Sequence, residues 1–308
     1  MGRAIAFVPS HISGFFEVCE KRPDGNLIEN PLYIGSRGAG PNLSLGCKTS
    51  VLAERTADAE IAIYINGVRV IEAETTQAAV SRFLKLTNEK YNVRVEHEFS
   101  VPIGYGYGAS GAGALGAIVA LSAATGYGLT ANKIGEIAHI AEIECKTGLG
   151  TVGTELLGGF TISLKGGAPG FNVVDRIIAP PDLKIISGFY GPILTKTVLS
   201  SPEKKMEINK SGKLAMSKLL ANPTVKEFVP ISRVFAENCG LMTEKVNEAL
   251  VELDKVSPWG ASMNMIGEAV FTIAREKHLP IIRDQLISFS SEKNILIADL
   301  NKTGARLI

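Results

Sequence analysis

From Val101 to Ala114 the chain reads Val-Pro-Ile-Gly-Tyr-Gly-Tyr-Gly-Ala-Ser-Gly-Ala-Gly-Ala, and this stretch limits the possible folds more than any other. Gly104, Gly106 and Gly108 alternate with bulky residues, and small residues then lead into the apolar series Leu115, Ile118, Val119 and Leu121. Glycine lacks Cβ, so such a loop can take positive φ and bring its N–H groups against an anion. The following segment reads as a buried helix, whose first turn adds unpaired N–H groups and the positive end of the helix dipole. The stretch predicts a phosphate cradle. Gly106, Gly108 and Gly111 also match the spacing of the dinucleotide fingerprint, but that site needs an acidic residue about 20 positions on. Here that region is Leu129-Thr130-Ala131-Asn132-Lys133, the start of another helix. A P-loop is excluded because no Gly-Lys-Ser/Thr closes the loop, Gly46-Cys47-Lys48-Thr49 being only a near miss. A glycine turn serving helix packing alone is the remaining alternative.

The 308 residues are enough for two domains or one domain with two lobes. With 45% apolar and 20% charged residues the chain is an ordinary globular sequence. A net charge of +1 and 6% aromatic residues argue against nucleic acid as a partner, and no apolar run is long enough to span a bilayer. Cys19, Cys47, Cys145 and Cys239 are scattered without metal spacing and read as reduced thiols, and without a secretory leader a cytoplasmic location is expected.

In chain order, Arg3 to Val8 predicts a strand ended by Pro9, with a turn at 10–14 and a second extended segment from Phe15 to Glu20. Residues 31–47 are glycine-rich. Asn66-Gly67 marks a hairpin between strands at 60–65 and 68–72. A helix capped at Thr75 or Thr76 runs to about Lys90, and a strand from Val93 to Val101 delivers the chain into the glycine loop. A helix from about Ala131 to Cys145 carries the stripe Ile134, Ile137, Ala138 and Ala141. Strands follow at 160–164, 173–178 and 183–189. Residues 200–257 read as three or four amphipathic helices starting near Pro202, Pro223 and Pro230. Ile295 to Leu300 and Gly304 to Ile308 suggest a closing β-hairpin.

Pro-x-Gly-x-Gly-x-Gly-x-Ser followed by small residues resembles the phosphate loop of the GHMP kinases, the superfamily of galactokinase, homoserine kinase, mevalonate kinase and phosphomevalonate kinase. Residues 8–16, 35–43 and 260–271 narrow the likeness to archaeal members that phosphorylate pantoate. The resemblance implies an α+β, two-lobed fold. A ribosomal-protein-S5-like lobe would span 1–180 and a ferredoxin-like α+β lobe 181–308. It implies ATP and Mg²⁺ as cofactors and phosphorylation of a small hydroxy acid, pantoate, on the archaeal route to coenzyme A. Another hydroxy acid as acceptor, or a catalytically silent nucleotide-binding regulator, are the alternatives. No nucleic acid or membrane partner is expected, and a homodimer is carried as an expectation that no residue fixes.

The likeness also assigns residues. Pro102, Gly104, Gly106, Gly108, Ala109, Ser110, Gly111 and Ala112 would bind the nucleotide. Ser110 would cap its helix and touch metal or phosphate, and Glu142, with Glu144 as runner-up, would be the metal carboxylate. His11, Ser13, Ser36 and Arg37 would line the acceptor pocket, with the Arg37 fork suited to a carboxylate. Where related kinases read Gly-Leu-Gly-Asp, with the aspartate taken as base, this chain reads Gly148-Leu149-Gly150-Thr151. A threonine hydroxyl accepts no proton usefully at neutral pH, so Thr151 is expected only to orient the acceptor. Ser10 stands where glycine is frequent.

Overall fold

A computed structural model describes residues 1–308 and resolves two sheets. The strands and helices of its first half are β1 (Gly2–His11), β2 (Phe15–Cys19), β3 (Gly35–Arg55), β4 (Ile61–Ile65), β5 (Val68–Arg69), α1 (Glu74–Thr87), β6 (Tyr91–Phe99), α2 (Ala109–Thr125), α3 (Ala131–Cys145), α4 (Thr151–Leu157), β7 (Phe160–Lys165) and β8 (Val173–Ile177). Then come β9 (Leu183–Gly191), α5 (Thr195–Ser200), α6 (Pro202–Ala221), α7 (Val225–Asn238), α8 (Glu244–Asp254), β10 (Ala261–Met263), β11 (Glu268–Arg275), α9 (Leu279–Phe289), β12 (Ile295–Asp299) and β13 (Arg306–Leu307).

The nine-stranded sheet runs β13-β1-β3-β6-β4-β5, with β2, β7 and β8 attached through β3. β3 is its spine: 21 residues long, it pairs first with β2 and β7 and then with β1 and β6. Sequence reading left residues 31–47 without a strand because glycine disfavours one. Two of those glycines are required by close approach. A Cβ on Gly40 would strike the Ile12 carbonyl, and one on Gly46 the Val8 carbonyl. β1 likewise continues through Pro9 to His11, with the register shifting between Pro9 and His11; an irregularity of this kind is where a strand tolerates proline.

Helices α1, α2 and α3 cover one face of this sheet, around a core containing Val8, Val51, Val95, Phe83, Leu115 and Ile118. The alanines and glycines of α2 let it pack on β1, β3, α1 and α3 at once, so 12 of its 17 residues are buried. α1 starts at Glu74 without a side-chain cap, so neither Thr75 nor Thr76 caps it, and Leu86 in its last turn is 41% exposed. Thr130 caps α3, its Oγ1 accepting from the Lys133 N–H at 3.3 Å.

The second sheet is antiparallel, β10-β11-β9-β12, and α7, α8 and α9 pack on it. Its central strand β11 was not foreseen. A second core joins the sheets, bringing Ile12, Phe15 and Phe160 together with Phe228, Phe235 and Phe271. Ser201, Thr224 and Thr243 cap α6, α7 and α8. Pro230 lies inside α7 rather than at a helix start. The expected closing hairpin does not form, since β12 pairs with β9 and β13 with β1, in different sheets. No helix is long and apolar enough to cross a membrane.

Candidate active site

Gly104, Gly106 and Gly108 have φ of +91°, +82° and +71°, a conformation that needs glycine at each. The intervening tyrosines anchor the loop. The buried Tyr107 donates its hydroxyl to Ser187 Oγ on β9 at 2.7 Å, since that serine hydroxyl is itself spent on the Val270 carbonyl at 2.6 Å. Tyr105 stacks edge-on against Phe189, and the Gly104 carbonyl accepts from the Ile193 N–H at 3.1 Å. The loop is thereby tied to the second sheet. α2 begins directly after it, leaving the N–H groups of Ala109, Ser110 and Gly111 without helical partners. The Ala112 N–H is already used, donating to the Gly108 carbonyl at 3.0 Å.

From the first turn of α2, Ser110 Oγ donates to Glu142 Oε1 on α3 at 2.6 Å. Glu142 is 1% exposed and its Oε2 has no hydrogen-bond partner. Burial pushes its carboxyl up to about 7, opposed by the Ser110 hydrogen bond. Gly148 closes over the carboxylate so tightly that a Cβ there would meet both oxygens. Glu144, the runner-up, points away and pairs with Arg82.

These groups open into a pocket of about 360 Å³, whose wall also contains Ser13, Phe16, Ser36, Thr147, Thr151 and Lys196. Thr151 is the first residue of α4. Two of the four residues expected at the acceptor site are not brought here. Arg37 donates from Nε to the Leu164 carbonyl and from Nη1 to Glu17 Oε2, each at 3.0 Å, and it faces a separate cleft with Lys21, Arg22 and Tyr33. The alternation of β3 turns Ser36 and Arg37 to opposite faces. His11 is 3% exposed, and burial lowers its pKa to about 3 against an opposing Asn42 hydrogen bond, so it is neutral. Pro102, Gly111 and Ala112 likewise lie outside the pocket wall.

Sequence reading missed Lys196 and Glu155. Nothing local marks Lys196; only the return of the chain after β9 brings it to the pocket. Glu155 had a signal, because it stands four residues after Thr151 and so on the same face of a helix. It is fully buried, and burial with the nearby Glu142 charge pushes its carboxyl well above the usual range.

A glycine cradle at a helix N-terminus, with a serine–glutamate pair beneath it and a pocket beside it, suits the phosphates of a nucleotide held next to a small acceptor. Residues 74–159, which include the loop and α3, match the GHMP kinases N terminal domain. The chain belongs to the pantoate kinase family. It is 36% identical over 277 residues to the pantoate kinase of Thermococcus kodakarensis, covering 88% of each chain. A solved structure described as a phosphotransferase related to the CoA biosynthesis pathway superposes with a TM-score of 0.86 at 32% identity, covering 99% of this chain and 98% of that one. At 16% identity the fold alone is shared with MDDEF in complex with MVAPP, AMPPCP and magnesium, with a TM-score of 0.76 and coverage of 100% and 99%.

Proposed function

We propose that the pocket transfers the γ-phosphoryl group of ATP to the primary hydroxyl of pantoate. The observation that carries this reading is the Ser110–Glu142 pair set under the glycine loop, with Glu142 Oε2 buried and unpartnered at the pocket wall. The names of the relatives supply the acceptor. In this reading the lobes 1–180 and 181–308 both line the pocket, the first through the loop, Ser13, Ser36 and Thr151, the second through 193–196, Leu199, Met265 and Ile266.

The residues fit MgATP: the loop takes positive φ at Gly104, Gly106 and Gly108, where a Cβ at Gly106 or Gly108 would press on Asn264 or on Glu155 and Thr151 behind it, and an orphaned carboxylate oxygen of Glu142 stands at the pocket wall. Ser110 and Glu142 would hold Mg²⁺, which when bound neutralises charge on the transferring phosphates. The free N–H groups of Ala109 and Ser110 bind and orient the phosphates. Lys196 is the only lysine or arginine in the pocket wall, and its Nζ lies 4.0 Å from Glu74, whose neighbour Thr75 is hydrogen-bonded to Thr147. It binds phosphate oxygens. Ser13 and Ser36 donate to the acceptor, and Thr151 orients its hydroxyl. Apart from Glu142, which would hold the metal, no carboxylate or imidazole lines the wall to act as a base, which a loose transition state tolerates because the hydroxyl proton leaves late.

The test is ADP release across a panel of hydroxy acids. Pantoate is expected to support turnover far above mevalonate or homoserine. Turnover with another acceptor, or MgATP binding without turnover, would overturn the assignment.

A further inference from the structure

Glu155 is a buried ionisable group at this site to which the proposed reaction gives no role. It is 0% exposed, and neither carboxylate oxygen has a hydrogen-bond partner. It lies against the inner side of the glycine loop, where a Cβ on Gly108 would strike its Oε1. At Gly111 it meets Glu142. The Oε2 atoms of Glu155 and Glu142 lie 3.0 and 3.1 Å from the point where a Gly111 Cβ would stand. Three unpartnered carboxylate oxygens thus gather beneath the first turn of α2, and no lysine, arginine or histidine pairs with either residue. Two uncompensated carboxylates in a dry interior cost several kcal/mol each in desolvation and repel one another. A proton held by one carboxyl relieves part of that cost, and a cation between the two relieves it as well, since hard oxygen donors suit a divalent cation that takes one or two carboxylates.

We propose that Glu155 is a second carboxylate of the cation site formed by Ser110 and Glu142. This rests on the reading that Glu142 holds the metal, and it adds a donor that the pocket wall does not reveal. α4 supplies it one turn beyond Thr151, so a single short helix contributes both an acceptor-side hydroxyl and a metal-side carboxylate. The absence of a Cβ at Gly111 leaves the space between the two carboxylates open.

The test is Mn²⁺ binding followed by electron paramagnetic resonance, on the full chain alone and with a non-hydrolysable ATP analogue, alongside melting temperatures in metal-free buffer. Wild type is expected to bind Mn²⁺, and Glu155→Gln to bind it at least about tenfold more weakly. The same variant should melt higher without metal, because one of two facing carboxylates has gone. Gly111→Ala keeps both charges and a good helix former while placing a methyl group between them, and it too should weaken Mn²⁺ binding. If Glu142→Gln loses Mn²⁺ while Glu155→Gln and Gly111→Ala bind as wild type does, the second carboxylate is wrong and the proposed function stands. A lower metal-free melting temperature for Glu155→Gln also overturns the inference. No Mn²⁺ uptake by wild type under either condition sinks it, and pantoate-dependent ADP release then decides separately whether the kinase reading survives.

Discussion

Lys196 lines the pocket, whereas Arg37 faces a separate cleft. Lys196 is 64% exposed on its side chain, and its Nζ is 4.0 Å from Glu74, a surface pair too weak to hold it against an incoming phosphate. Arg37 is half-buried and already engaged by Glu17 and the Leu164 carbonyl. Lys196→Ala is therefore expected to lower kcat/KM for MgATP by roughly thirtyfold, about 2 kcal/mol for a lost hydrogen bond to a charged group. Arg37→Ala should change kcat/KM for either substrate by less than about threefold, the range of an ion pair outside the site. Steady-state kinetics with both substrates varied check this. A larger loss in Arg37→Ala would return the acceptor carboxylate to Arg37.

At the scale of elements, the glycine loop and α4 depend on each other. Gly108 is held at φ +71°, and its missing Cβ makes room for the Glu155 carboxylate and the Thr151 methyl group. Gly108→Val should abolish nucleotide binding, because a branched side chain is strained at positive φ and displaces α4 from the loop. Thermal shift with ATP reads this out, and full protection of the variant would remove the loop from the site. Thr151→Ala, which takes away one hydroxyl and leaves α4 in place, should cost under about tenfold in kcat, or roughly 1.4 kcal/mol. The carboxylate of α4 stands one turn after Thr151, at Glu155.

At the scale of the whole molecule, the buried carboxylates link stability to pH. The Glu142 carboxyl is raised from 4.5 to about 7, mainly by burial. Between those values the folded chain holds a proton that the unfolded chain has released, so the contribution of Glu142 to stability is full below about pH 4.5 and is lost as the pH rises through 7. Melting temperatures of metal-free wild type should fall relative to Glu142→Gln across that window. A constant difference between the two proteins would mean that Glu142 is not raised. His11 and His97, lowered by burial to about 3 and about 4, act in the opposite sense, which is why the variant comparison is needed.

Those parts of the molecule that depend on residues close in the chain were legible in the sequence. Alternating glycines before a small-residue helix require positive φ and an N-terminal anion site whatever surrounds them. The periodicity of 131–145 defines α3, while Glu142 and the phosphate or metal contact of Ser110 came from the likeness to the GHMP kinases. The likeness to the GHMP kinases extended this to the two-lobed fold. What the tertiary structure alone decided depends on residues far apart. β3 is a strand despite its glycines because neighbouring backbones press against it at Gly40 and Gly46. β12 and β13 part company because their partners lie far off in the chain, β12 pairing with β9 in one sheet and β13 with β1 in the other. Arg37 leaves the pocket through a contact with Glu17 across β2, Lys196 enters it from beyond β9, and Glu155 meets Glu142 only where α4 packs on α2 and α3. Local sequence sets which backbone conformations a segment can adopt. Which side chains share a dry space is set by the packing of elements against one another, and that is where the charges of this site acquire their chemistry.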